Sequence, residues 1–190
     1  MIASKRFKLV GVCLLGYLVL NGLFGFAPSE YDFESSFRWN LIYSYTVMII
    51  IAVISTYWGI KHSEITPSFL EGFKFISKQV LLFSVGVSLM TPLWNFVIVK
   101  EATQLRIDKN ISKIKGVTDE QFAEFVVANP NLESVIKEDW IESQIAAVEF
   151  FSSAKIETSI YMLAYLVIGL FISLIASFLW TKVWFVQQRI

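Results

Sequence analysis

The sequence is poor in the residues that build metal sites and crosslinks. Its 190 residues include one cysteine, Cys13, and one histidine, His62. With one of each, an internal disulfide, a cysteine-rich zinc site and a histidine metal cluster are all excluded. We therefore expect no metal and no cofactor.

Charge is also scarce. Charged residues make up 17% of the chain, against ~25% in an ordinary soluble domain. The 16 Lys and Arg balance the 16 Asp and Glu, so the formal net charge is zero. A chain without net positive charge creates no field that attracts nucleic acid, so we expect no nucleic-acid partner.

What the chain has in abundance is apolar residues, at 55% of the total. All charged residues fall outside four windows, which span residues 9–29, 39–60, 79–99 and 158–181. A helix rises ~1.5 Å per residue and the hydrocarbon core of a bilayer is ~30 Å thick, so each window is long enough to cross a membrane. The sequence predicts an all-α membrane protein, with four transmembrane helices in one membrane domain over residues 1–190.

The first window has an alternative interpretation as the core of a cleaved signal peptide, because Lys5, Arg6 and Lys8 precede it. Its apolar run is longer than the ~7 to 15 residues of a signal core. Pro28 would also directly follow the cleaved bond, where its ring disfavours processing. We expect the window to be retained as a span.

The distribution of Lys and Arg predicts the orientation. Lys and Arg are equally numerous in two sets of segments, 1–8, 61–78 and 182–190 on the one hand and 30–38 and 100–157 on the other. The second set is much longer in total. Positive charge is therefore denser on the first three segments, and positively charged short loops stay in the cytoplasm. We expect a multi-pass protein of the bacterial cytoplasmic (inner) membrane with both termini cytoplasmic, and membrane lipids as its partners.

Tryptophans frame the windows, as expected of indole rings that favour the membrane interface. Trp39 and Trp94 lie near the predicted outer ends of spans two and three. Trp58, Trp180 and Trp184 lie near the predicted inner ends of spans two and four. Their positions predict that these side chains face the interface.

Both loops that follow spans two and three are predicted to be helical. Thr66 and Pro67 are typical of a helix cap and a first helical position, so we expect residues 67–78 to form an amphipathic turn on the cytoplasmic surface. Residues 100–157 are too many for a structureless loop. We expect them to form an extracytoplasmic helical insertion between spans three and four.

Two helices are expected within the insertion. Thr118 and Gln121 form a capping box for the first, and Asn131 can cap the second, which then continues into span four. Their apolar stripes, which neither helix can bury alone, must pack on each other, on the membrane or on a partner. The candidate partner surface consists of Phe122, Phe125 and Trp140.

Span three carries a polar stripe at helical spacing, made of Ser84, Ser88, Thr91 and Asn95. Pro92 lies among them and lacks an N–H, so it should kink the helix and free a backbone carbonyl. Such a face can line a solute path, but hydroxyl groups are also how membrane helices pack on each other. No ionisable residue lies within the stripe, and because permeation sites usually have one, packing is favoured.

Span four presents a face of small residues, made of Gly169, Ser173 and Ser177. Small residues spaced by four let two helix backbones approach closely. The face predicts a seam inside the bundle, with a homo-oligomer contact as the alternative. In span one, Asn21 is expected to bond to a neighbouring span.

The layout resembles an uncharacterised bacterial family of four-span inner-membrane proteins, domain of unknown function 4199. Three segments carry the resemblance: Gly59-Ile60-Lys61, the run Ser68-Phe69 with Gly72-Phe73-Lys74, and Gly169-Leu170 with Ser173-Leu174-Ile175. The resemblance implies a four-helix membrane fold with a charged helical insertion before the last span. It implies no assigned activity.

Motifs of catalysis are missing from the sequence, which has no glycine-rich phosphate loop, no HExxH, no nucleophile elbow and no Cys–His pair. We therefore expect a protein that is not an enzyme. The sequence favours an accessory or scaffold role in which the insertion contacts a protein partner. A small-solute transporter or channel-like protein that uses the polar face of span three, and a lipid-interacting protein, are the alternatives.

Overall fold

The computed structural model describes residues 2–25, 33–61, 68–129, 131 and 133–184. Within those residues the chain is almost entirely helical and contains no strand. A π-helical turn follows α3 at Trp94–Ile98, and another follows α7 at Trp180–Trp184. The α-helices are α1 (Ile2–Gly25), α2 (Phe33–Lys61), α3 (Phe69–Leu93), α4 (Lys100–Lys115), α5 (Asp119–Ala128), α6 (Lys137–Phe151) and α7 (Ala154–Leu179).

Three helical segments are long and apolar enough to cross a membrane: Ser36–Gly59, Phe69–Ile98 and Ala154–Lys182. Within the described residues α1 contributes a shorter apolar stretch, Phe7–Leu23. The prediction of an all-α chain with membrane-length helices is therefore confirmed. The fourth span and the side on which α4–α6 lie stay predictions.

These helices have apolar outer faces, unlike a soluble bundle, and their interior holds both apolar and polar side chains. Large apolar side chains on the outer faces of α1, α2, α3 and α7 are exposed, while polar side chains are buried between the helices. Lipid tails are as apolar as leucine, so such outer faces suit a bilayer, and hydrogen bonds between polar groups help to hold the helices together. The buried polar residues of these four helices include Asn21, Ser36, Asn40, Ser44, Ser84, Ser88, Thr91, Glu157, Ser173 and Ser177.

The antiparallel pair α3 and α7 forms the centre of the bundle. The hydroxyl of Ser177, near the end of α7, donates to the carbonyl of Phe69 at the start of α3 at 2.8 Å. Further along the pair, a Cβ added to Gly169 would lie 2.8 Å from Oγ of Ser84. Close approach of the two backbones therefore depends on small residues in α7.

α1 packs on α2 through a tyrosine. The hydroxyl of Tyr43 in α2 donates to the backbone carbonyl of Cys13 in α1 at 2.8 Å. Gly16 leaves room for this contact, because a Cβ there would lie 2.3 Å from the Tyr43 oxygen. The two rings of Tyr17 and Tyr43 also pack, with centroids 6.2 Å apart.

Two of the tryptophans predicted at the membrane interface are core residues instead. Trp180 is only 2% exposed, and Trp94 is also buried. The Trp180 ring lies between Gly59 of α2 and Gly72 of α3, whose missing side chains make room for it. Burial between two glycines explains why its position at the helix end does not bring it to the interface. The side chain of Trp184 lies outside the described part.

The start of α3 also differs from the prediction. α3 begins at Phe69, and Ser68 is its N-cap within a complete capping box. Thr66 and Pro67, the predicted cap and first helical residue, lie outside the described residues. Residues 69–78 are the first turns of α3 and run without interruption into its apolar part. A serine hydroxyl that satisfies the third amide of the helix fixes this start.

Beyond α3 the chain folds back through α4, α5 and α6. The predicted capping box of Thr118 and Gln121 is present at α5. Asn131 does not cap α6, which begins at Lys137, where Lys137 pairs with Asp119 of α5. α6 ends at Phe151 and does not continue into α7. α6 packs on α4 and also contacts α5, so packing rather than a local cap fixes its position.

Candidate functional site

The predicted polar stripe of α3 is buried, and its two halves face different surroundings. The hydroxyl of Ser84 donates to the carbonyl of Val80 at 2.9 Å, and the hydroxyl of Ser88 donates to the carbonyl of Ser84 at 2.7 Å. Both serines thus satisfy their hydrogen bonds within their own helix. This half of the stripe is a seam with α7.

The predicted small-residue face of α7 lies on the same seam. Gly169 and Ser173 are buried, and the hydroxyl of Ser173 donates to the carbonyl of Gly169 at 2.7 Å. Ser177 is buried too and bonds across to α3. The structure therefore brings the two predicted faces together, with their hydroxyl groups satisfied inside the protein.

The other half of the stripe, Thr91 and Asn95, lies at the end of the bundle that leads to α4. The hydroxyl of Thr91 donates to the carbonyl of Val87 at 2.9 Å, so the hydroxyl of Tyr17, 2.6 Å away, donates to Thr91. Pro92 is buried within α3. Shortly after it the helix widens into its π-helical turn, which contains Asn95. Such turns often occur at functional sites.

Two asparagines continue this polar region towards α2. The side-chain amide of Asn21 in α1 donates to the carbonyl of Tyr17 at 2.8 Å. The side-chain amide of Asn40 in α2 donates to Oδ1 of Asn21, also at 2.8 Å. Asn21 therefore bonds to a neighbouring helix, as predicted. Oδ1 of Asn40 is buried and has no hydrogen-bond partner in the protein.

Glu157 corrects the expectation that no ionisable group accompanies the stripe. The nitrogen of the Asn95 side chain donates to Oε1 of Glu157 at 2.6 Å. Glu157 is 8% exposed, and its second oxygen, Oε2, is buried without a hydrogen-bond partner in the protein. The charge-free window began at residue 158, whereas α7 begins at Ala154 and carries this carboxyl group into the bundle.

Further groups act on this carboxyl group through their charge or dipole. Arg106 of α4 and Tyr161 of α7 both interact electrostatically with Glu157. Tyr161 lies four residues after Glu157, so the two share one face of α7. On that face Tyr161 stacks on Tyr165, with ring centroids 6.0 Å apart.

A small cavity lies at the centre of this polar region. Its volume of about 10 Å³ is enough for roughly one water molecule. Asn40, whose Oδ1 lacks a partner, is 8% exposed and is part of the cavity wall. The wall is formed by Tyr17, Ser36, Phe37, Asn40, Thr91, Asn95, Tyr161 and Tyr165.

The chemistry of this site is that of oxygen ligands around one carboxyl group. Among the residues that the structure describes, no group of three or more His, Cys, Asp or Glu comes together to hold a metal ion. A transition metal prefers nitrogen or sulfur ligands, which this wall does not offer. Hydroxyl and amide groups can bind water, a small polar solute or a small hard cation.

Comparison of the chain with protein-family models, with curated proteins and with solved structures finds no match. The resemblance to domain of unknown function 4199 therefore stays a prediction. The site has to be interpreted from its own residues.

The three aromatic residues predicted as a partner surface pack on one another. The Trp140 ring of α6 lies 5.5 Å, centroid to centroid, from both Phe122 and Phe125 of α5. Trp140 and Phe122 are half-buried, and Phe125 stays exposed on one side. Most of the apolar surface that suggested a partner is therefore used to hold α5 against α6.

The sequence signals for the cavity residues were weak. Asn40 lies four residues from Ser36 and from Ser44, and Tyr17 lies four residues from Asn21, but no spacing along the chain joins these residues to the stripe of α3. Glu157 lies just outside an uncharged window, among charged residues of a predicted loop. A helical-wheel projection that extended α7 backwards by one turn would have placed Glu157 on the face of Tyr161 and Tyr165.

Proposed function

We propose that the chain is a multi-pass protein of the bacterial inner membrane, with four spans, both termini cytoplasmic and α4–α6 on the outer side. The exposed apolar outer faces and the buried polar residues support membrane insertion. α1 counts as the fourth span because Tyr17 bonds to Thr91 and Cys13 bonds to Tyr43, so α1 lies at the same depth as α2 and α3.

Within the bilayer, we propose, the protein acts as a transporter or channel-like protein for a small polar solute. The observation that carries this proposal is Oδ1 of Asn40, a buried acceptor without a protein partner that belongs to a residue lining a cavity. An unpaired buried amide oxygen costs ~1–3 kcal/mol, so it is kept where something else binds it. Polar residues of this kind inside a membrane protein typically mark solute or ion pathways.

The test is solute flux into vesicles that contain the purified protein, with rubidium ion, glycerol and acetate as probes. At least one probe should cross faster than into protein-free vesicles. Asn40→Leu and Thr91→Val, which remove polar atoms from the cavity wall, should slow that flux strongly. Ser173→Ala, in the seam with α3, should leave it unchanged and serves as the matched control.

The opposite results decide against the proposal. Equal rates with and without protein for all three probes would remove it. An equal loss of flux in Ser173→Ala and in the two cavity variants would also contradict it, because the effect would then follow helix packing and not the cavity.

An accessory role remains a second candidate, supported by apolar residues of α4–α6 that stay uncovered. Val127 is 84% exposed, and Ile136 next to α6 is exposed as well. Cross-linking from Val127→Cys in intact cells should trap one specific protein if this segment docks a partner. Products that contain only this chain or lipid would count against the accessory role. We propose membership of domain of unknown function 4199 on the resemblance alone.

A further inference from the structure

We infer that the cavity at the α4–α6 end of the bundle binds a monovalent cation, which Asn40 and Asn95 ligate and which Glu157 selects. This inference rests on the proposed function and names the ligand class of the same site. The juxtaposition that carries it is a cavity of single-water size, one buried amide oxygen without a partner, and one buried carboxylate oxygen without a partner.

The ligands available in the wall are neutral oxygens. Oδ1 of Asn40 accepts no hydrogen bond within the protein, and the hydroxyl oxygens of Tyr17 and Thr91, two further residues of the wall, lie 2.6 Å apart. Ser36, buried at the start of α2, is also part of the wall. Hydroxyl and amide oxygens are the ligands of hard cations such as sodium, potassium, magnesium and calcium.

Glu157 acts through Asn95. Oε1 of Glu157 accepts a hydrogen bond of 2.6 Å from the side-chain nitrogen of Asn95. This hydrogen bond orients the Asn95 side chain so that its nitrogen faces Glu157. Asn95 itself forms part of the cavity wall, whereas Glu157 lies behind it. Glu157 is therefore a positioning residue, and in its ionised form it also supplies negative potential to the site. Such partners of ligating residues typically change cation affinity by about 10- to 100-fold when they are replaced.

The charge of the site favours a monovalent ion. Glu157 contacts this polar region through Asn95, and the residues that line the cavity include no Asp or Glu. Arg106 already places positive charge close to it. Calcium sites use 6–8 oxygens and several carboxylates, and magnesium keeps most of its water molecules. A cavity of about 10 Å³ has room for roughly one water-sized particle, which suits a single dehydrated monovalent ion.

The test measures cation-dependent stability of the full-length protein in mild detergent. Thermal unfolding is followed by tryptophan fluorescence while sodium or potassium chloride replaces choline chloride at constant ionic strength. Because a ligand that binds only the folded state raises the unfolding temperature, one of the two ions should stabilise the wild type. In Glu157→Gln, which keeps an oxygen for Asn95, the half-maximal concentration should rise by about 10- to 100-fold.

Two further variants make the result specific. Glu149→Gln removes an exposed carboxyl group from α6 and should leave the cation response unchanged. Arg106→Gln removes a positive charge that interacts with Glu157 and should lower the half-maximal concentration. If Glu157→Gln does not fold, the direction of the change in Arg106→Gln still decides.

The outcomes separate the two proposals. No stabilisation by sodium or potassium beyond choline, or a response that Glu157→Gln retains, overturns the cation inference. Stabilisation by magnesium or calcium alone overturns it as well. Flux of glycerol without any cation effect would leave the proposed function standing while the cation inference falls. Absence of flux for every probe, together with absence of cation binding, would remove both.

Discussion

Gly59→Ala is expected to destabilise the bundle because the new methyl group would meet an indole ring that has nowhere to move. A Cβ at residue 59 would lie 2.2 Å from Cη2 of Trp180, 2.8 Å from Cζ2 and 3.0 Å from Cζ3. Carbon atoms in good contact are ~3.5–4.0 Å apart, so the ring must shift by more than about 1 Å. On its other side, a Cβ at Gly72 would lie 3.3 Å from Cε3, and the Phe75 ring packs edge-on with centroids 6.0 Å apart.

The magnitude follows from two opposing contributions. Forcing extra carbon into a well-packed core costs ~1–3 kcal/mol. Replacing glycine by alanine inside a helix contributes ~0.8–1.0 kcal/mol of helix propensity in the opposite direction. Gly11→Ala in α1 supplies the matched control, because a Cβ there has no atom within 4 Å. The difference between the two variants isolates the packing cost, so Gly59→Ala should be less stable than Gly11→Ala by ~1–3 kcal/mol.

The assay is reversible unfolding of the purified protein, titrated with a denaturing detergent and followed by circular dichroism. Combining Gly59→Ala with Trp180→Phe, which removes part of the indole, should cost less than the sum of the two single changes. The coupling should fall within the ~0.5–3 kcal/mol found for residues in contact. Equal stability of Gly59→Ala and Gly11→Ala, or strict additivity with Trp180→Phe, would refute the assignment of Trp180 to the core.

The other predictions concern the membrane and the outer segment. In a Cys13→Ser background, Phe171→Cys should resist a water-soluble maleimide in intact membranes, although the Phe171 side chain is exposed in the structure. Val127→Cys, whose side chain is also exposed, should react. Equal reaction of the two variants would contradict the membrane assignment. Trp140→Ala removes two aromatic contacts, each worth ~0.5–1.5 kcal/mol, and should speed amide hydrogen exchange in α5. Trp39→Ala, at an exposed tryptophan of α2, should leave that exchange unchanged, and an equal effect of both variants would argue against the aromatic cluster.

Local pattern in the sequence predicted the helices better than it predicted their ends. Windows without charge located the apolar parts of α2, α3 and α7, because the cost of placing an ion in lipid acts on every residue of a span. The same criterion excluded Glu157, whose carboxyl group is buried with a partner from α3. A rule based on single residues cannot recognise a charge that is accommodated by a contact 62 residues away in the chain.

Helical spacing placed the polar stripe of α3 on one buried face, but it could not tell that the two halves of the face have different surroundings. That division depends on α7. Gly169 lets the two helices approach closely beside Ser84, whereas the large rings of Tyr161 and Tyr165 line the cavity at the other end. Small residues of α7 let the two helices pack closely, whereas its large residues border a cavity. The register between α3 and α7 therefore decides which part of the stripe is packed and which part lines the cavity.

Hydrogen bonding differs between the stripe of α3 and the polar residues near the cavity. The hydroxyl groups of Ser84 and Ser88 donate to carbonyls of their own helix, so their polarity costs little in lipid and their small size serves packing. Asn40 and Glu157 each keep one buried oxygen that the rest of the protein does not satisfy. A membrane offers no water to compensate such an oxygen. Buried polar atoms without a partner also occur at Ser55, Gln79, Trp94 and Trp180, so what distinguishes Asn40 is that it also lines a cavity. We therefore expect binding at this cavity and not along the more conspicuous stripe of hydroxyl groups.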